Sequence, residues 1–310
     1  MSSNPSTKKT RSWRARNLVP AGFVKRQDDE RPLAEVSELW DTLLTSIQVA
    51  KGQRESYPFR DTLPSWMIGD GENWDDSTIA EILAISKSVS DKAKIGSASM
   101  WNEETWRLMC HTPALLSITK LYPKELIMSV EEPWKGINLK EGTILLSHKP
   151  DYSFSLRVSP RGTTPLSRPI LDGLLVRLDP YLNENRELAF AFAVAESKSF
   201  QGSELEAENQ CGEAAIKMLF KLRQLGGDAI RLPVVCMALI GSRTIVYVAS
   251  SSMESSGENI YYMQEIWSGK LTRFADSLQF HIMFYRYLGW VSTIFNPTII
   301  SAISKQPGPL

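Results

Sequence analysis

The run Leu-Ala-Phe-Ala-Phe-Ala-Val-Ala over residues 188–195 is apolar at every position. Side chains alternate between the two faces of a strand, so a run with no polar position predicts burial on both faces. Such a strand belongs in the centre of a sheet, with helices above and below it. The run ends on Glu196-Ser197-Lys198, which sets Glu196 and Lys198 on one face and Ser197 on the other.

The surrounding pattern supplies the rest of a mixed sheet. Residues 143–158 alternate, with Asp151, Ser153 and Ser155 on one face and Tyr152, Phe154 and Leu156 on the other, and read as a strand. Residues 169–178 read as a second one. A helix is expected over 203–225, with Glu204, Glu206, Glu208 and Glu213 in its first half and Lys217, Lys221 and Arg223 in its second, an order that suits the helix dipole. Glu213 and Lys217 form an (i, i+4) pair worth a few tenths of a kcal/mol. Gly226-Gly227 stops that helix. Residues 233–240 and 243–249 then read as a strand pair turning at Gly241-Ser242, followed by an edge strand near 260–266 and a long helix over 272–295.

Upstream, Leu33, Val36, Leu39, Trp40, Leu43, Leu44 and Ile47 share one helical face, giving a helix to about residue 49. Further helices are expected over 78–89 and 102–121, the latter kinked or split by Pro113. The Asp70 to Asp76 cluster lacks the ligand spacing of a calcium loop and reads as a solvated loop. The whole is α/β or α+β around one mixed sheet. It divides into a disordered basic arm (1–31), a helical N-terminal extension (32–98) and a main domain (99–304).

Charge and cysteine content narrow the class. The 35 basic and 35 acidic side chains cancel, yet residues 1–31 carry eight bases and three acids, so a +5 leader precedes a body of −5. Residues 149–177 add a local +3 from Lys149, Arg157, Arg161, Arg168 and Arg177 against Asp151 and Asp172. Zero net charge therefore permits a localised phosphate-binding footprint whose affinity falls as salt rises. No run approaches the roughly 20 apolar residues of a membrane span, and no signal peptide is visible. The chain is expected to be intracellular, nuclear or cytoplasmic. Cys110, Cys211 and Cys236 lack CxxC spacing and read as small buried side chains.

Glu196 and Lys198 at a strand end combine an acid that can hold a divalent cation with a lysine that can orient a water. Asp151, after Pro150, would supply a second carboxylate, and two carboxylates plus waters satisfy Mg2+. Some two acid-x-Lys triplets are expected by chance, about 35 × 17/310, so the triplet alone is weak. Its position discriminates: it ends the most apolar strand, precedes an amphipathic helix, and lies 45 residues after the only Pro-Asp dipeptide. The competing reading is a salt-bridged strand end with an ordinary turn acid.

These residues resemble the PD-(D/E)xK nuclease superfamily and, within it, fungal nuclease-like domain proteins. The resemblance rests on Asn102-Glu103-Glu104-Thr105-Trp106 with Cys110-His111-Thr112-Pro113, on Lys149-Pro150-Asp151-Tyr152, on Glu196-Ser197-Lys198, on Glu206 to Gly212, and on the aromatic terminal helix, across residues 100–295. It implies a restriction-endonuclease-like mixed sheet flanked by helices. It also implies a Mg2+- (or Mn2+-) dependent endonuclease acting on DNA, its oligomeric state open and a dimer included. Asp151, Glu196 and the Ser197 carbonyl would bind metal, with Glu103 or Glu104 as an extra acid. Lys198 would position the attacking water and Gln210 would support it. Lys149, Arg157, Arg161 and Arg168 would contact nucleic acid. Where members with a Gln-x-x-x-Tyr motif carry tyrosine, this chain has Ala214. The alternative is a catalytically silent nuclease fold that binds a protein or nucleic-acid partner. His111 is read as a satisfied buried residue, His148 as flanking the strand, and Trp101, Trp106 and Tyr152 as core.

Overall fold

The computed structural model of the protein describes residues 23–25, 39, 76–122, 126–140, 143–161, 166–174, 179–253 and 257–306. Of the expected helix over 33–49, only Leu39 falls among these, helical and buried. The Asp70 to Asp75 loop and most of the basic arm lie outside the described residues. From the arm, Phe23–Lys25 forms strand β1.

The protein is mixed α/β, a seven-stranded mixed sheet flanked by helices. Helix α1 (Asp76–Ala98) leads to α2 (Glu103–Trp106), whose first turn is capped by Asn102 accepting the Thr105 N–H. A π turn (Arg107–His111) then joins α2 to α3 (Thr112–Thr119). This is how the helix accommodates Pro113. Proline has no N–H and its ring crowds the preceding turn, and the Thr112 N–H just before it bonds five residues back, to the Arg107 carbonyl.

The strands follow: β2 (Leu126–Val130), β3 (Ile137–Lys140), β4 (Thr143–Leu145) and β5 (Tyr152–Arg157). The single strand expected over 143–158 is therefore two strands in different sheets. β4 pairs only with β3, the chain crosses between sheets through 146–151, and Pro150 lacks the N–H needed to continue a ladder. Residues 168–174 form helix α4 (Arg168–Leu174), not the strand expected from 169. Pro169 suits a first helical turn, and Leu171 and Leu174 bury one face at a spacing of three, which a period-two reading misses.

Strand β6 (Leu188–Lys198) is buried at all 11 positions. It is followed by α5 (Glu204–Gly226), β7 (Val234–Ile240), β8 (Arg243–Met253) and β9 (Asn259–Lys270). The sheet order is β1-β9-β8-β7-β6-β5-β2, with β6 antiparallel to β5 and parallel to β7. β9 is not an edge strand, because β1 lies parallel outside it and Lys25 bonds Glu208 of α5 at 2.6 Å. Helix α6 (Phe274–Trp290) passes through a second π turn (Val291–Phe295) into α7 (Asn296–Ser304), again just before a proline, Pro297.

Helices cover both faces of β6. On one side α5 lies along β6 and β7. On the other, Thr112 meets the Tyr152 hydroxyl at 3.0 Å, the Tyr287 hydroxyl donates to the Phe192 carbonyl at 2.6 Å, and Phe154 meets Phe284 edge-on. α1 belongs to this layer, since Ser86 bonds His281 of α6 at 2.9 Å. Each large apolar side chain buried here contributes about 1.5–3 kcal/mol. Among the described residues no helix is long and apolar enough to cross a membrane. All three cysteines are buried and free.

Candidate active site at the end of the central strands

The β5–β6 register pairs Tyr152 with Ala195, so one step further sets Asp151 opposite Glu196. Asp151 does not continue the ladder. Its carboxylate takes the place a strand carbonyl would occupy, Oδ2 accepting the Ser197 N–H at 2.7 Å. In return, the Asp151 backbone N–H supports the Glu196 carboxylate. The two acids predicted from sequence are thus joined at one end of the central sheet.

Their surroundings differ. Glu196 is only 2% exposed, and burial, then the Asp151 charge, pushes its carboxyl well above the ordinary 4.5, against the opposing pull of Lys198. Its Oε1 is buried without a hydrogen-bond partner among the described residues. Asp151 is engaged on both oxygens, because Oδ1 lies 3.1 Å from Nη1 of Arg107. The same Nη1 lies 2.6 Å from Oε1 of Glu131, and Lys149 Nζ is 3.4 Å from Glu131 Oε2. A guanidinium therefore bridges two carboxylates. The Arg107 contact is what holds the Glu131 carboxyl below its usual value.

Lys198 emerges on the Glu196 side, 9% exposed, with Nζ 3.9 Å from Oε1 of Glu206. Its carbonyl accepts the Gly241 N–H at 2.8 Å, which ties the strand end to the β7–β8 turn. Gln210 is four residues after Glu206 and three before Glu213, so it shares the α5 face that reaches Lys198. Its Oε1 is another buried acceptor without a partner among the described residues. Ser197 points to the opposite face and bonds Nδ1 of His111 at 2.8 Å, while His111 Nε2 donates to the Gly241 carbonyl at 2.8 Å. Burial lowers the His111 pKa to about 4, so this histidine is a neutral, satisfied core residue, as its sequence context suggested.

The structure departs from the sequence expectations at several residues. Glu103 and Glu104 open α2, but the residue of this layer that reaches Asp151 is Arg107, one turn further on. Arg157 lies at the far end of β5, paired with Leu188, about 20 Å from Asp151 at about 3.3 Å per residue. Arg161 and Arg168 follow it there, with the Arg168 N–H on the Ser159 carbonyl. Those three bases are therefore not beside the paired acids, and Lys149 is. Lys217, paired with Glu213 in sequence, is fully buried.

Sequence reasoning missed Arg107 and Glu131. The signal for Arg107 was its placement four and three residues after Glu103 and Glu104, on the same helical face. Glu131 carries no local signal, since its backbone N–H meets the Asp151 carbonyl only through the β2–β5 pairing.

Among the described residues no three His, Cys, Asp or Glu side chains gather into a metal-holding group. The donor chemistry still fits a hydrated hard cation, which needs only one or two carboxylates. Glu196 offers a buried orphan oxygen and Asp151 lies beside it, shared with Arg107. No protein-family model matches the chain, and no curated protein matches it in sequence.

Proposed function

We propose that the protein is a metal-dependent nuclease of PD-(D/E)xK type, a restriction-endonuclease-like variant of the mixed α/β fold acting on DNA. One observation carries the reading: Asp151 and Glu196 adjoin at the ends of neighbouring central strands, with Lys198 on the Glu196 face. The antiparallel run β2-β5-β6 followed by α5 and parallel β7 supports it, because it brings residues 45 positions apart to one sheet end.

In this reading Asp151, Glu196 and the Ser197 carbonyl hold Mg2+ or Mn2+, which when bound polarises the phosphodiester and acidifies a water. Lys198 presents an ammonium to the charge developing on the phosphoryl oxygens. Gln210 orients Lys198 or the attacking water through its unpartnered Oε1. Lys149 is the one predicted phosphate-binding base adjoining the acids, through Glu131. The test is plasmid cleavage with Mg2+ or Mn2+ by the wild type and by Asp151→Ala, Glu196→Ala and Lys198→Ala, each checked for folding. Cleavage lost in all three supports the assignment. Equal nicking by all four assigns the activity to a contaminant.

One observation favours a second reading, a silent nuclease fold serving as a scaffold. Arg107 already neutralises Asp151. Calorimetry separates the two: no binding of Mg2+ or Mn2+ at millimolar concentration favours the scaffold, and binding abolished by Asp151→Ala favours the enzyme.

A further inference from the structure

We propose that Lys217 and His148 are positioning residues for Glu196: the buried Lys217 ammonium fixes the tautomer of His148, which turns its Nε2–H toward the Glu196 carboxylate. The catalytic meaning of this arrangement rests on the nuclease reading, but the arrangement itself does not.

Lys217 of α5 is wholly buried, and its Nζ has three neighbours: the Leu146 carbonyl at 2.5 Å, Oε1 of Glu213 at 2.9 Å and Nδ1 of His148 at 3.3 Å. An ammonium has three protons and no lone pair, so it is the donor in every contact. Nδ1 of His148 is therefore an acceptor and carries no proton. A neutral imidazole has one N–H, which leaves it on Nε2. That atom lies 3.5 Å from Oε1 of Glu196, and both atoms are buried with no hydrogen-bond partner among the described residues. At 3.5 Å the pair is too long for a good hydrogen bond, leaving Oε1 able to shift toward another ligand.

The histidine is also held mechanically. Its backbone bonds Trp134 in both directions, at 2.7 and 3.2 Å, and the Trp134 ring packs edge-on at 5.5 Å. The contact that makes Nδ1 an acceptor also requires a neutral ring, since an imidazolium would set a second N–H against the Lys217 ammonium. Burial lowers the Lys217 pKa, and Glu213, 2.9 Å away, opposes that shift and favours the ammonium. A core that needed only filling would take a methionine at position 217 more cheaply than a buried ion pair. The charge is placed where it dictates the protonation of one ring nitrogen.

The test is long-range 1H–15N correlation of the His148 ring in metal-free protein, with Mn2+ calorimetry as the second readout. Protonated Nε2 and bare Nδ1 in the wild type, with that preference lost in Lys217→Met, is the expected result. His148→Ala should weaken Mn2+ binding about tenfold, the low end of the effect of outer-shell partners, and His148→Gln, which keeps a donor, should recover part of it. A wild-type ring protonated on Nδ1 overturns the proposal without any variant needing to fold. So does a tautomer unchanged in folded Lys217→Met. A fixed Nε2–H tautomer in a protein that binds no Mn2+ sinks the nuclease reading and leaves the Lys217–His148–Glu196 arrangement standing.

Discussion

Arg107→Met should tighten divalent-cation binding while weakening the metal-free fold. Nη1 of Arg107 is 3.1 Å from Oδ1 of Asp151, with side-chain exposures of 21% and 13%. At an effective dielectric of about 20 that separation corresponds to about 5 kcal/mol of raw attraction. Desolvation of both partners cuts the net value toward the 1.5–3 kcal/mol usual for a hydrogen bond to a charged group. A cation taking Asp151 as a ligand must first displace this contact, and each 1.4 kcal/mol is a factor of ten in affinity. Mg2+ or Mn2+ should therefore bind Arg107→Met about 10–100 times more tightly than wild type by calorimetry.

Stability should move the other way. Without the guanidinium, Asp151 and Glu131 face each other beside Glu196 with one fewer cation among them. The metal-free variant should unfold at a lower denaturant concentration, by about 1–3 kcal/mol, and saturating Mg2+ should recover more stability in it than in wild type. Variant affinity equal to or below that of wild type would refute the idea that Arg107 and the cation compete for Asp151.

Three further outcomes follow from the same region. The raised carboxyl of Glu196 makes the folded state hold a proton that the unfolded chain has lost, so its stabilising effect is full below the ordinary value of 4.5 and declines as pH rises toward the folded value. Metal-free wild type should thus lose melting temperature with rising pH across that window, and Glu196→Gln should flatten the decline; an unchanged slope would count against a protonated Glu196. His111→Ala leaves the Ser197 hydroxyl and the Gly241 carbonyl unpaired in the core and should cost about 1–3 kcal/mol by urea unfolding. In wild type the depressed His111 pKa gives the opposite sign: its stabilisation is complete above 6.5 and is lost as pH falls toward about 4. Gly241→Ala sets a Cβ 3.1 Å from the Phe200 Cα at a φ of +54° and should cost about 1–2 kcal/mol, read by the same unfolding assay.

What the sequence revealed follows from which forces are local. The apolar run at 188–195 carries its burial in every residue, and β6 is buried throughout. The hairpin turn at Gly241-Ser242 and the stop at Gly226-Gly227 depend on backbone freedom that a two-residue signal expresses. Phe190 shows the limit. It adopts a φ of +48° and gives its N–H to the Pro180 carbonyl, which displaces the β5–β6 register at a bulge that no pattern within β6 announces. Helix α4 was misread because seven residues give too short a window for period three to stand out, and only burial of Leu171 and Leu174 reveals it. The acids and lysine of the candidate site were legible because their strand context was. Arg107 and Glu131 were not, because their roles come from tertiary pairing with Asp151.

The same distinction bears on Lys217. From sequence, Glu213 and Lys217 are an ordinary (i, i+4) pair on the polar flank of an amphipathic helix, and nothing in their spacing separates a solvated pair from a buried one. Burial comes from the crossing segment 146–148, which lays the Leu146 carbonyl and the His148 ring over this part of α5. That crossing exists because the chain leaves the β3–β4 ribbon and enters the main sheet only at Tyr152. One change of sheet therefore places Asp151 at the strand end, sets His148 against Glu196 and encloses Lys217. Inserting residues between Leu146 and Asp151 should disturb all three together, whereas an insertion between β8 and β9 should leave them intact. Cleavage, Mn2+ affinity and the His148 tautomer should fail in concert in the first variant and persist in the second. Independent loss of only one of them would show that the three do not share this structural cause.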